Sequence, residues 1–205
     1  MLIDLTHPLN NSTPVFPGDA KVNLYKYKDI TEDKYNGYVF ETTLHIGTHI
    51  DAPMHLTEDN RFIDSFPLDC FTGKGVLIDV RREDIISMKS VYENLVFKDA
   101  IVLLYTGFDE FYYDKEKYFN AHPVISEELT NFFIQKQIKM LGMDISSPDY
   151  APFTAHKALL SKDIFILENL TNLKKLSDIK NFEVYAFPLK ITAEASQVRA
   201  MARIL

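Results

Sequence analysis

The sequence has little of what several classes of protein require. It has one cysteine, Cys70, in 205 residues, so an intrachain disulfide is impossible and a reducing, cytoplasmic compartment is expected. The longest apolar run, at about residues 100–105, is far below the roughly 20 residues that cross a bilayer, so no membrane span is expected. Residues 1–4 also lack the basic and apolar pattern of a targeting signal. Because 22 basic residues face 29 acidic ones, the net charge of −7 argues against nucleic acid as a partner.

Two further absences narrow the chemistry. There is no G-x-S-x-G stretch, so the serine nucleophile that this motif carries is not expected. Cys70 has no cationic neighbour in the sequence that would lower the pKa of its thiol, and it is interpreted as a structural residue. The sequence thus gives little support to a covalent mechanism through a side chain.

Short apolar segments bounded by Gly, Pro or Asp make up much of the chain. With 46% hydrophobic and 25% charged residues and no repeat or linker, the composition is typical of one folded domain over residues 1–205. Segments rich in β-branched and aromatic residues predict strands at 22–28, 38–45, 75–80, 100–106, 138–145, 164–167 and 184–191. Helical patterns begin near Ser126 and at 84–92, 155–160 and 173–179. Loops separate most strands, which predicts a single β-rich mixed α/β domain rather than a doubly wound sheet.

The candidate chemistry lies in an eleven-residue segment, His45-Ile46-Gly47-Thr48-His49-Ile50-Asp51-Ala52-Pro53-Met54-His55. It holds three of the six histidines of the chain and one aspartate. Imidazole nitrogens and a carboxylate oxygen are donors that suit Zn, Mn or Fe in the +2 state. The alternative is three unrelated histidines on a polar loop.

Spacing decides whether these donors can converge. Gly47, Thr48 and Pro53 disfavour a helix. In one extended strand His45 and His49 would lie roughly 13 Å apart, at about 3.3 Å per residue. We therefore predict a bend at Gly47-Thr48, because glycine adopts backbone angles that other residues avoid.

Beyond the bend, three donors can face one point. His49 and Asp51 are two positions apart, so their side chains point the same way in a strand. Pro53 would stiffen the turn that carries His55 back over the site. The segment is therefore interpreted as a metal site on a kinked strand.

Two more candidate donors lie far along the chain. His156 is on the predicted helix at 155–160, and Glu168 ends the apolar run 164–167. A carboxylate that ends a buried strand is costly unless it is paired or bound to a metal. From the local pattern alone, however, a surface position for His156 and the start of a loop at Glu168 are the simpler interpretation.

Together these segments resemble a family of metal-dependent, cyclase-type hydrolases that includes bacterial kynurenine formamidases and isatin hydrolases. The family signature H-x-G-T-H-x-D-x-P-x-H is matched at every fixed position by residues 45–55. The later His and Glu of formamidases match His156 and Glu168. Other stretches match in the same order along the chain: DLTHPL at 4–9, PVFPGD at 14–19, LYTG at 104–107, GMD at 142–144, SPD at 147–149 and FPL at 187–189.

The resemblance implies a role for each matched donor. His45 and His49 would bind a first metal ion, and Asp51 would bridge it to a second. His156 would bind the second ion, and Glu168 would contact both. The implied cofactor is two divalent ions per subunit, zinc or alternatively manganese.

The resemblance also implies the remainder of the enzyme. His55 would act as the acid/base residue rather than as a ligand. The fold would be a mixed α/β domain with a β-barrel-like core, in a homodimer or larger oligomer. Formamidases usually have Trp where this chain has Phe16, which can still stack on an aryl ring with a smaller surface. Isatin hydrolases tend to have an amide at the position of Glu168, so the carboxylate favours the formamidase arrangement.

The expected reaction is hydrolysis of a small aryl formamide, with N-formylkynurenine to kynurenine plus formate as the reference case. A divalent metal lowers the pKa of bound water to near 7, so that hydroxide can attack the amide carbonyl, and His55 can protonate the leaving nitrogen. Two alternatives stay open: the same site acting on another cyclic amide or a lactone, and a non-catalytic protein that binds a metal or a small molecule. The sequence does not locate His7, His122 or the aromatic cluster at 112–119 relative to a pocket.

Overall fold

A mixed sheet of nine strands organises the chain, which a computed structural model describes over residues 1–205. Thirteen strands are present: β1 (Leu2–Asp4), β2 (Asn23–Lys28), β3 (Gly37–Glu41), β4 (His49–Asp51), β5 (Thr72–Asp79), β6 (Ile85–Ile86), β7 (Ile101–Tyr105), β8 (Val124–Ile125), β9 (Met140–Met143), β10 (Phe165–Glu168), β11 (Phe182–Tyr185), β12 (Ala195–Gln197) and β13 (Met201–Ile204). The large sheet has the order β1-β13-β11-β5-β7-β9-β10-β4-β12, while β2 pairs with β3 and β6 pairs with β8 in two separate pairs.

The helices are few and short: α1 (Ile30–Asp33), α2 (Tyr92–Leu95), α3 (Lys115–Asn120), α4 (Glu127–Lys136) and α5 (Thr154–Leu160). The longest, α4, begins where the sequence predicts, because the Ser126 hydroxyl accepts a hydrogen bond from the Leu129 N–H at 3.1 Å and caps the helix. None of the helices has both the length and the apolar character that a membrane crossing requires.

The centre of the sheet is parallel and buried on both faces. Strands β5, β7, β9 and β10 are parallel neighbours, and every residue of β7 is buried. Alternate residues of β7 pack into two different apolar clusters, Ile101 and Leu103 into one and Val102 and Leu104 into the other. A strand covered on both sides is apolar throughout, which is why the run at 100–106 was recognisable as a strand.

The predicted fold class is confirmed: the fold is mixed α/β with a curled nine-stranded sheet and few helices. The predicted helix at 84–92 is wrong, because Ile85–Ile86 forms the strand β6 and only Tyr92–Leu95 is helical. The predicted strand at 184–191 ends at Tyr185, and the one at 38–45 ends at Glu41. The terminal strands β1, β12 and β13 were not predicted, since three or four residues carry too little periodicity to be recognised.

Two of the stretches that resemble the family lie at the carboxyl edge of the central strands. The buried Asp144 carboxylate, just after β9, accepts hydrogen bonds from the N–H and hydroxyl of Thr106 at 2.8 and 2.7 Å and from the Gly107 N–H at 2.8 Å. A Cβ at position 142 would lie 2.5 Å from Leu103 Cδ2, so β7 and β9 could not pack as closely with any residue other than glycine there. In parallel sheets this edge is where ligands bind.

Candidate metal centre and pocket

The chain turns a corner at Gly47, as the spacing of the histidines requires. Gly47 has φ +66°, and a Cβ at this position would lie 2.4 Å from Leu9 Cδ2, so both backbone angle and space favour glycine. The corner brings the rings of His45 and His49 to a centroid separation of 5.2 Å. The two imidazoles are thus close enough to face a common ion.

Asp51 lies between these two imidazoles. Strand β4 begins at His49 and ends at Asp51, which places both side chains on one face of the sheet. Asp51 Oδ1 is 2.9 Å from His45 Nδ1 and 3.5 Å from His49 Nε2. The carboxylate is 1% exposed, so its charge acts in a poorly solvated environment.

His55 returns to the site through a short 3-10 turn, Pro53–His55. Its ring centroid is 4.1 Å from that of His45 and 6.0 Å from that of His156. Burial lowers the pKa of His55 to about 4, so its ring is neutral at neutral pH. Ligand atoms of His45, Asp51 and His55 all lie within 4.8 Å of one another, so the geometry suits His55 as a ligand as well as a proton carrier.

The two distant donors reach the same place from other elements. Strand β10 pairs antiparallel with β4, with Glu168 opposite His49, and Glu168 Oε2 is 3.3 Å from His49 Nε2. His156, on α5, has its Nε2 3.4 Å from both Asp51 Oδ2 and Glu168 Oε1. Both residues are buried, so the interpretation of His156 as a surface residue and Glu168 as the start of a loop is wrong.

The donors fit a divalent cation. His49 Nε2, Asp51 Oδ1 and Glu168 Oε1 are buried and make no hydrogen bond within the protein, which is costly for such groups unless an ion satisfies them. Burial would lower the pKa of His45, but the Asp51 carboxylate raises it to about 9. For His156 the opposing carboxylates, Asp149 first, raise the pKa to about 10 against the effect of burial. The field in the site therefore favours positive charge, and nitrogen and oxygen donors suit a divalent metal.

In His45, His49 and His156, the ring nitrogen that faces away from the cluster has an acceptor. Glu194 Oε1 lies 3.3 Å from His45 Nε2, the Gly47 carbonyl oxygen 2.8 Å from His49 Nδ1, and Asp149 Oδ1 3.3 Å from His156 Nδ1. Such partners hold the ring of a metal ligand in one orientation and tautomer. Asp149 Oδ2 also accepts from the Ala155 N–H at 2.7 Å and so anchors the start of α5. Sequence reasoning missed the roles of Glu194 and Asp149, although Asp149 belongs to the matching SPD stretch.

A cavity of about 260 Å³ opens onto the candidate metal centre. Its apolar lining is formed by Phe16, Leu56, Phe119 and Phe153, and the ring of Phe16 meets that of Phe119 edge to face at 5.7 Å. Phe16 therefore lies at the pocket, where an aryl ring could pack on it. Of the aromatic cluster at 112–119, Phe119 lines this cavity.

Two histidines that the sequence did not locate lie outside this lining. His7 is buried and stacks on Tyr112, with the centroids 3.6 Å apart and the rings nearly parallel. His122 stacks on Tyr150 at 4.3 Å. Neither lines the cavity beside the metal centre.

Comparison with known proteins identifies the family of this chain. The cyclase family, described as "Putative cyclase", matches residues 3–150. A kynurenine formamidase of Bacillus cytotoxicus is 30% identical over 210 residues, covering 99% of this chain and 97% of that protein. An uncharacterized protein of Methanocaldococcus jannaschii is 34% identical over 206 residues, covering 98% of both. The solved structure of isatin hydrolase A from Ralstonia solanacearum aligns with a TM-score of 0.87 at 22% identity, over 98% of this chain and 91% of that one. The chain belongs to the cyclase family.

Proposed function

We propose that this protein is a metal-dependent hydrolase that cleaves the C–N bond of a small aryl formamide or a related amide. The observation that carries the proposal is the convergence on one point of buried donor atoms of His49, Asp51 and Glu168 that make no hydrogen bond, beside a phenylalanine-lined cavity. The kynurenine formamidase relatives and the carboxylate at position 168 support a formamide over other substrates.

Five residues are proposed to hold two divalent ions, zinc or alternatively manganese. His45 and His49 would bind the first ion, His156 would bind the second, and the carboxylates of Asp51 and Glu168 would contact both. The distances of 2.9–3.5 Å between facing donor atoms support shared ligation. An ion held there would polarise the amide carbonyl and lower the pKa of water.

His55 is proposed to move the proton that the reaction requires. Its neutral ring can accept a proton from the attacking water and pass it to the leaving nitrogen. The water oxygen then forms the new bond to the carbonyl carbon, the C–N bond breaks, and an acid and an amine are released. Phe16 and Phe119 would pack against the aryl ring and keep the amide oriented toward His55.

Metal analysis and turnover together test this function. Purified protein is analysed for bound metal and assayed with N-formylkynurenine, formanilide and isatin, before and after treatment with a chelator. We expect turnover of formamides that is lost with the metal and restored by zinc or manganese. Turnover of isatin alone would favour a cyclic amide, and bound metal without any turnover would favour a binding protein.

The role of His55 is tested by one substitution. His55→Ala should retain near-normal metal content while turnover falls by on the order of 10²–10⁴-fold, since general acid–base catalysis contributes about that much. Loss of metal together with activity would instead make His55 a ligand, which its distance from His45 and Asp51 also allows.

A homodimer or larger oligomer is part of the proposal. The hairpin of β2 and β3 pairs with no strand of the large sheet, and an isolated two-stranded hairpin is marginally stable in water. Tyr38 and Phe40 lie on one face of the hairpin and are 62% and 45% exposed. Covering them with a second copy of the chain would remove this apolar surface from water. Light scattering on wild type and on a double variant, Tyr38→Ser with Phe40→Ser, would reveal a dimer that the substitutions dissociate.

A further inference from the structure

The rim of the cavity carries one carboxylate that belongs to neither the candidate metal centre nor any ion pair. Asp19 lines the cavity, its side chain is exposed, and its oxygens make no hydrogen bond or salt bridge with the protein. Its backbone N–H donates to the Phe16 carbonyl at 3.0 Å, in a turn that includes Gly18 at φ +101°. The charge of Asp19 is thus available to a bound molecule.

Apart from the histidines of the candidate metal centre, no basic side chain lines the cavity beside Asp19. The thirteen lining residues include no lysine and no arginine. The other two lining carboxylates, Asp51 and Glu168, face the histidines of the metal centre. Away from the metal ions, an anionic substituent would meet no lysine or arginine here and would be repelled by Asp19.

The turn sets Asp19 on the same wall as the aromatic contact. Phe16 lies three residues before Asp19, and its edge-to-face contact with Phe119 of α3 holds the turn against the cavity. An aryl ring that packs on Phe16 therefore brings its ring substituents toward Asp19, while the amide points to His55 and the metal donors.

We propose that Asp19 determines the charge specificity of the enzyme and selects aryl amides that carry an ammonium group over those that carry only a carboxylate. The inference deepens the proposed function and depends on it for the identity of the scissile amide. An ion pair at a solvent-exposed rim is weak, so the preference should be modest, roughly five- to twenty-fold between cation and anion, and screened by salt.

A matched set of substrates tests the proposal. Three N-formylanilines differ only at the meta position, which carries an aminomethyl group (cationic), a hydroxymethyl group (neutral) or a carboxylate (anionic). The readout is the ratio of kcat/KM for the cationic compound to that for the anionic one. We expect wild type to give a ratio above one that falls toward one at 1 M salt, where the Debye length is about 3 Å.

Two substitutions at Asp19 and one control complete the design. Asp19→Asn should bring the ratio toward one, and Asp19→Lys should invert it. Asp178 is an exposed carboxylate outside the cavity. Asp178→Lys changes the net charge of the protein as much as Asp19→Lys does and should leave the ratio at the wild-type value. A wild-type ratio of one or less, or a ratio that Asp19→Asn does not move, overturns the proposal. The first result would mean that the positive charge of the metal ions outweighs Asp19, and the second that a group other than Asp19 selects the charge.

A binding experiment separates this inference from the proposed reaction. Calorimetry on the metal-loaded protein compares the dissociation constants of 3-(aminomethyl)aniline and 3-aminobenzoate in wild type and Asp19→Asn. If no formanilide is hydrolysed but wild type prefers the cation and Asp19→Asn does not, the proposed reaction is wrong and the charge specificity stands. Equal affinities in wild type, beside normal turnover, would overturn the charge specificity alone.

Discussion

The two sides of the candidate metal centre are built in different ways. On the near side, residues 45–55, all donors come from one short stretch, and a single corner at Gly47 turns them toward one point. On the far side, residues 146–169, the donors come from a helix and a strand, and they reach the site only because β10 pairs with β4. Local chain geometry therefore suffices for one side, whereas the other depends on sheet register, in which a slip of one residue would turn Glu168 to the opposite face.

The largest effect is expected where the two sides meet. Asp51 faces His45 and His49 on the near side and His156 on the far side. Asp51→Ala should release the metal from both, and turnover should fall by at least on the order of 10³-fold, more than one transition-state contact contributes. Elemental analysis of the purified variant checks this, with Asp178→Ala as a control for the loss of a surface charge. Normal metal occupancy in Asp51→Ala would show that the two sides bind independently.

The corner of the near side can be broken by one methyl group. Gly47→Ala forces a side chain into the left-handed backbone region and against Leu9 Cδ2, so the free energy of unfolding should fall by on the order of 3 kcal/mol. Gly18→Ala is a matched control, because Gly18 also has positive φ but has nothing within 4 Å of the added Cβ. Urea unfolding of both variants is the measurement. An equal loss in both would mean that backbone strain, and not the contact with Leu9, requires glycine at the corner.

The far side can be weakened without touching a donor. Asp149→Asn removes the negative charge that orients His156 and leaves one acceptor oxygen for two N–H groups, so metal affinity should fall by about 10–100-fold. Glu194→Gln is the near-side counterpart. It should cost less, because the Glu194 side chain is 37% exposed against 13% for Asp149. Calorimetric titration with zinc compares the two, and an equal effect would show that both sides depend on their outer carboxylates alike.

An effect confined to acidic pH involves His7, whose neighbour Thr48 contacts both sides. The backbone N–H of His7 donates to the Thr48 hydroxyl at 3.0 Å, and that hydroxyl donates to the backbone carbonyl of Asn169 at 2.6 Å. Burial lowers the pKa of His7 to about 4, whereas the unfolded chain takes up this proton below about pH 6.5. The unfolded state therefore binds more protons between pH 6.5 and 4. As the pH is lowered through this range, the free energy of unfolding falls by about 1.4 kcal/mol per pH unit.

A non-titrating ring at position 7 isolates this contribution. His7→Phe can keep the stacking on Tyr112 without taking up a proton, so the loss of stability below pH 6.5 should be shallower than in wild type. Urea unfolding at pH 7, 6, 5 and 4.5 gives the two slopes. Identical slopes would show that His7 does not contribute to acid sensitivity.

Much of the fold and the candidate donors of both sides were predicted before the structure, His156 and Glu168 only through the resemblance to the family. The buried strand at 100–106 is apolar throughout, and Ser126 marks the start of α4, so both were predicted close to their observed bounds. The short edge strands and the helix wrongly predicted at 84–92 show the limit, since pairing with a distant strand outweighs a weak local preference. Asp19, Asp149 and Glu194 were missed because each has its role through a neighbour that is remote in sequence or through the shape of the cavity.

By itself, the sequence determined the candidate donors of the near side and the need for a bend at Gly47, because both follow from spacing and backbone chemistry over eleven residues. His156 and Glu168 were expected only through the resemblance to the family, and the tertiary structure shows how they reach the same place. Only the tertiary structure decided that His55 is within reach of both metal binding and proton transfer, and that one free carboxylate stands at the rim. Those outcomes depend on strand register, helix placement and burial, which are set by contacts between residues more than a hundred positions apart.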